Sequence, residues 1–143
     1  MQQGLAWPTE LEPQEDGSIL VSFPDVPEAL TEGETRDAAL EQAQDCLVAA
    51  LGGYVKARLA IPPPSPAHGR TVIALPALAA AKIALYVAMR ADGVSNAALA
   101  QRLGLSEGAV RRLIDLDHRS HIGQIETALH ALGQRLMVAA HAA

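Results

Sequence analysis

The stretch NAALAQRLGLSEGAVRRL, residues 96–113, constrains the fold of this chain more than any other segment. Leu99, Leu103, Leu105, Val110 and Leu113 recur at spacings that let two short helices share one core. Ala100 permits close helix contact, and Gly104 stands where the chain must turn sharply, often through a left-handed backbone that costs glycine nothing. Ser106 is placed to cap the second helix by accepting an amide hydrogen bond. This order matches a helix-turn-helix, whose second helix enters the major groove of DNA by its first turns.

The second helix is expected to present Glu107, Gly108, Arg111, Arg112 and Asp115 on the side away from the core. Arg111 and Arg112 suit guanine edges or phosphates, Ser106 suits a phosphate, and Glu107 can accept from cytosine. The spacing does not choose which arginine reads bases. Arg119, in the loop DHRSHIG, is a further candidate for phosphate contact. His118 and His121 in that loop lie three residues apart, but no cysteine or second ligand pair accompanies them, so a polar loop is expected rather than a metal site. The DNA-binding candidates are therefore Ser106, Glu107, Gly108, Arg111, Arg112 and Arg119. Modules of this kind bind paired half-sites as dimers, which implies a homodimer or higher homo-oligomer.

A DNA reader normally depends on cations that displace phosphate counterions, yet this chain of 143 residues has a formal net charge of -5. The charge is unevenly spread. Residues 1–76 hold 4 Lys and Arg against 11 Asp and Glu, a balance of -7, whereas residues 77–143 hold 7 against 5, a balance of +2. Two modules with different partners are expected, divided near residue 76.

In LAWPTEL, Leu5, Trp7, Thr9 and Leu11 share one face of an extended segment, and Pro8 marks it as an edge strand. PQEDG supplies turn chemistry, and SILVSF alternates Ile19, Val21 and Phe23 against Ser18, Leu20 and Ser22, giving a hairpin. PDVP and a short third strand in ALTEGET follow, ended by Gly33, with Thr35 placed to cap a helix. From Arg36 to about Leu59, Leu40, Ala43, Leu47, Ala50, Leu51, Tyr54 and Val55 form an apolar stripe, opposed by Glu41, Gln44, Asp45 and Lys56. IPPPSPAHGR, residues 61–70, reads as a stiff crossover that leads into a strand, TVIAL, returning to the first sheet. The remainder is expected to be helical: LAAAKIALYVAMRAD, NAALAQRLG, SEGAVRRLIDL and IGQIETALHALGQRLMV, punctuated by Gly93, Gly104 and Gly123. The expected class is α+β, a βββαβ domain over residues 1–76 followed by an all-α domain over residues 77–143.

Several function classes lose support. VIALPALAAAKIALYVAM has the length of a membrane span, but Pro76 breaks it and Lys82 would sit at the bilayer centre. MQQGLAWPTELEPQEDG has no basic segment before an apolar run, so no secretory signal is expected. The single cysteine, Cys46, cannot form an intrachain disulfide and sits beside Asp45, which disfavours a thiolate. These features favour a cytoplasmic protein. Asp16, Asp25, Glu34 and Asp37 invite a magnesium nuclease, yet turns, strand ends and helix starts collect carboxylates for local reasons. No activated Ser or Cys constellation is visible, so no enzyme, cofactor or metal is expected.

Taken in order, GSILVSFPDVPEALTEGET, EQAQDCLVAALGGYV, IPPPS, TVIALP and the helix-turn-helix closely resemble the HicB antitoxins of bacterial toxin-antitoxin pairs. SFPDVPEALTEGET and IPPPS are the most specific parts, and the helical C-terminus resembles the branch with a Cro-like reader. This resemblance implies a partial ribonuclease-H-like N-terminal domain without catalysis, which binds a HicA-type toxin and blocks its mRNA cleavage. It also implies a C-terminal domain that binds the operon's own promoter. An acidic module suits capture of a toxin that must attract RNA. The resemblance assigns no individual toxin-binding residues. The alternative is a transcription regulator whose N-terminal domain senses a small molecule.

Overall fold

A computed structural model of the chain describes residues 5–142. The first four residues of the segment read for a secretory signal lie outside them. The chain divides into two compact units, Met1–Leu75 and Pro76–Ala143.

Among the described residues, the first unit contains five short strands and one long helix. The first expected strand is divided: β1 (Ala6–Pro8) pairs antiparallel with β5 (Val72–Ala74), while β2 (Glu10–Pro13) pairs with β3 (Ile19–Ser22). Pro8 has no amide to donate, so the ladder cannot continue unbroken through it. Thr9 marks the change of partner, with its amide at 2.9 Å and its hydroxyl at 2.7 Å from the Thr71 carbonyl. β3 also pairs with β4 (Leu30–Gly33), giving the order β2-β3-β4. The strand expected in TVIAL forms as β5, but it pairs with β1 in a separate two-stranded sheet instead of joining β2-β3-β4.

Local chemistry accounts for the connections. At the β2–β3 turn, the Gln14 carbonyl accepts from the Gly17 amide, Gly17 has φ of +87°, and Asp16 accepts from both the amide and hydroxyl of Ser18. PDVP forms two successive turns, in which the Phe23 carbonyl accepts from Val26 and the Val26 carbonyl from Ala29. Pro24 and Pro27 each occupy the second turn position, where their restricted φ is preorganised.

Thr35 caps α1 (Arg36–Lys56) by accepting from the Ala38 amide. Ala39, Ala43, Leu47, Leu51 and Val55 recur every four residues and are buried with Trp7, Val21, Phe23, Val26 and Ala29 as the core of this unit. The helix ends at Lys56 rather than near Leu59, because Arg58 takes φ of +59° and the Leu59 amide turns back to the Tyr54 carbonyl. Gly33 permits the approach of helix to sheet: a Cβ there would lie 2.3 Å from the Ala39 amide nitrogen.

The second unit contains α2 (Ala77–Asp92), α3 (Asn96–Leu103), α4 (Glu107–Ile114) and α5 (Ile122–Ala131). α2 packs on α5 and α3 on α4. Two expectations are corrected. Gly123 lies within the first turn of α5 and does not interrupt it, and α5 stops at Ala131 instead of continuing to Val138. The stop is Gly133, at φ of +74°, where the Gly133 and Gln134 amides return to the carbonyls of His130 and Leu129. No helix among the described residues is long and apolar enough to cross a membrane.

Candidate functional site

The α3–α4 pair is built by its caps. Ser95 accepts from the Ala98 amide and Ser106 from the Ala109 amide, each at 3.1 Å, and Gly104 turns the chain between the helices at φ of +67°. Leu99, Ala100, Val110, Leu113 and Ile114 are buried, which leaves the opposite side of α4 in solvent. Glu107 opens the first turn, where the helix dipole favours an anion.

The six candidate residues fall on α4, its cap and the loop that follows. Ser106, Glu107, Arg111, Arg112 and Arg119 are exposed, and Gly108 is half-buried. The Gly108 position is open: an added Cβ would meet only the Arg112 guanidinium, at 3.7 Å. Arg111 rests against Glu107 at 3.4 Å, one helical turn away. An exposed pair of this type contributes only about 0.3–0.5 kcal/mol, so an external anion can displace Glu107 readily. Asp115, expected on the outer face, is half-buried; its carboxylate accepts from the Asp117 amide and shapes the loop.

Sequence reasoning passes over Lys82 except as an obstacle to membrane insertion. It is 1% exposed on α2, and its ammonium donates to the Arg112 carbonyl at 2.7 Å and to Ser120 Oγ at 2.8 Å. Burial pulls its pKa below the ordinary lysine value, with the Asp115 carboxylate acting in the opposite direction. A lysine within an otherwise apolar helical face is the available signal; its partners, 30 and 38 residues away, leave none. A cavity of about 100 Å³ lies between the α3–α4 turn and the start of α5, lined by residues including Leu105, Leu113, His118 and Gln124. It is well below the size of a typical metabolite pocket.

The carboxylates of the first unit do not converge. Asp16 serves its own turn, where hydrogen bonds from the Ser18 hydroxyl and amide lower its pKa. Asp25 reaches across the fold to accept from both the amide and hydroxyl of Ser65, each at 2.9 Å. The Trp7 indole donates to the Pro62 carbonyl at 2.9 Å, so IPPPSP is held to this unit at two points. Glu34 and Asp37 flank the α1 cap. Among the described residues, no group of three His, Cys, Asp or Glu side chains is arranged to hold a metal. His118 instead lies 3.2 Å from Ser120 through Nδ1, and His121 precedes α5 without capping it. Cys46 is half-buried and donates to the Leu30 carbonyl at 3.7 Å.

The first unit therefore shows solvent an acidic surface: of its 11 carboxylates only Asp25 is not exposed. Arg70 neutralises Glu10 at 3.1 Å, and the Tyr54 hydroxyl donates to Glu28, a hydrogen bond that raises the Tyr54 pKa. Fold and surface together define a two-unit α+β protein with an acidic sheet-and-helix unit and an arginine-bearing helical unit. A family model described as HicB-like antitoxin of bacterial toxin-antitoxin system matches residues 6–84, which covers nearly all of the described first unit and the start of α2. Antitoxin HicB 2 of Photorhabdus laumondii is 41% identical over 98% of this chain and 99% of its own length. Antitoxin HicB of Pseudomonas fluorescens is 39% identical over 91% of the chain and 90% of its own. Antitoxin HicB of Escherichia coli is 36% identical over 92% and 96%. The chain belongs to the HicB-like antitoxin family. Membership in that family implies a toxin partner.

Proposed function

We propose that the first unit binds and neutralises a HicA-type mRNA interferase toxin, and that the second unit represses the chain's own operon by setting α4 into the major groove of promoter DNA. The chain acts without catalysis, in the bacterial cytoplasm. The observation that carries this reading is the coincidence of charge with architecture: the balance of -7 falls on one compact unit and that of +2 on the other. An acidic surface attracts a toxin adapted to RNA, while the exposed arginines of α4 and its loop suit a phosphate backbone. The capped pair α3–α4 has the form of a helix-turn-helix, and α4 presents Arg111 and Arg112 on its free side.

Few cations are available to each copy, because the balance of the second unit is only +2 and Lys82 is buried. A homodimer doubles the phosphate contacts and places two reading helices on half-sites about 34–36 Å apart. Promoter-binding assays and toxin co-expression test the two tasks separately. Arg111→Ala combined with Arg112→Ala is expected to weaken promoter binding at least tenfold, on the order of 1–3 kcal/mol for each base-reading arginine removed, while still rescuing growth in cells that express the toxin. Unchanged promoter affinity in the double variant would overturn the groove assignment. A wild-type chain that forms no toxin complex and restores no growth would overturn the neutralising role.

A further inference from the structure

Lys82 is a costly choice for the position it occupies. The rest of the buried α2 face is Ala79, Ala81, Ile83, Leu85, Tyr86 and Met89, and an apolar side chain of similar length would fill the core without desolvating an ammonium. What the ammonium supplies is direction. Its acceptor, the Arg112 carbonyl, belongs to the last turn of α4, where unpaired carbonyls and the helix dipole favour a cation. The same oxygen receives the Asp115 amide and the Ser120 hydroxyl, both at 3.3 Å. Ser120 is also the second acceptor of Lys82 and the neighbour of His118. One buried group thus joins α2 to the end of α4 and to the loop that carries Arg119.

We propose that Lys82 is a positioning residue for DNA reading, which fixes the rotation of α4 and the path of the 115–121 loop and so aims Arg112 and Arg119. This rests on α4 being the groove helix. Lys82 itself is buried and so is not placed to touch a bound duplex. Its hydrogen bond ends on the backbone of one candidate reader, and its second partner adjoins the other in sequence. Base contacts depend on side chains held close to their productive geometry, whereas nonspecific phosphate attraction tolerates reorientation.

The test uses the full chain and fluorescence anisotropy with two duplexes, its own promoter region and a scrambled sequence of equal length, across a salt series. Circular dichroism reports folding of each variant. Lys82→Met is expected to lower the preference for promoter over scrambled DNA about tenfold, while affinity for the scrambled duplex and the salt slope stay at wild-type values, because no surface cation is removed. Ser120→Ala removes one of the two acceptors and is expected to shift the preference in the same direction by a smaller factor. A folded Lys82→Met chain with wild-type preference, or with equal weakening on both duplexes, overturns the proposal. Should Lys82→Met fail to fold, Ser120→Ala decides by the same comparison: reduced preference supports the proposal and unchanged preference overturns it. Wild-type protein without promoter preference would instead sink the DNA reading, and this inference with it.

Discussion

Asp25→Ala tests whether the proline-framed turn is held for structural reasons. One oxygen of Asp25 accepts from both the amide and the hydroxyl of Ser65, across 40 residues of chain, in a part-buried setting. Hydrogen bonds to an ionised acceptor contribute about 1.5–3 kcal/mol each, but water can partly replace a half-buried carboxylate, so the expected net loss is about 2 kcal/mol. For a unit of this size, Met1–Leu75, that corresponds to a fall in Tm of about 8–16 °C. The single tryptophan provides a local probe. Trp7 is fully buried and donates to Pro62 in the same proline run, so its emission reports directly on this unit. Asp25→Asn retains the shape and a neutral acceptor, and is expected to lose about half as much. A Trp7 transition for Asp25→Ala within about 2 °C of wild type, equivalent to less than about 0.5 kcal/mol, would refute the clamp.

Gly33→Ala would place a methyl 2.3–2.8 Å from backbone atoms of Ala38 and Ala39, where no side-chain rotation relieves the clash. Urea unfolding followed by Trp7 emission is expected to show a loss near the upper end for overpacking, about 3 kcal/mol, with a loss under about 1 kcal/mol contradicting the close approach. Tyr54 is expected to ionise above its ordinary value of 10.0, because its hydroxyl donates to the Glu28 carboxylate. Its contribution to stability is then present below pH 10 and disappears as pH rises through the higher folded-state value. The phenolate absorbance of wild type minus Tyr54→Phe gives that titration, and Glu28→Gln should return it toward the ordinary value.

The starts of α1 and α4 are legible in residue types because their chemistry closes within a few residues. Thr35 and Ser106 each cap the helix that follows, as an oxygen next to a periodic apolar run implies, and Ser95 does the same for α3. The Asp16-Gly17 turn and the left-handed Gly104 are legible for the same reason. Gly133 carries the same stop signal as Gly93, but the apolar run Leu136-Met137-Val138 suggests continued helix. Met137 and Val138 are in fact 77% and 76% exposed, so that run has no helical stripe to complete in this unit. Gly123 resembles a break in the sequence, although glycine near a helix start does not force a turn when its backbone conformation remains helical.

The candidate reading face is legible to a similar extent: the residues on α4 can be named from spacing, whereas what holds that helix in place cannot. Lys82 reaches Arg112 and Ser120, and Asp25 reaches Ser65, through folding that no local pattern encodes. The division of the first strand between two sheets is of the same kind. Pro8 advertises an interruption, but only the return of Val72–Ala74 supplies β1 with its own partner. By itself the sequence determined turns, caps, helical faces and the split in charge, because these depend on neighbours along the chain. Tertiary structure alone decided the partner of β1, the clamp on the prolines and the partners of the buried ammonium, because those groups find their hydrogen bonds only after distant segments have packed.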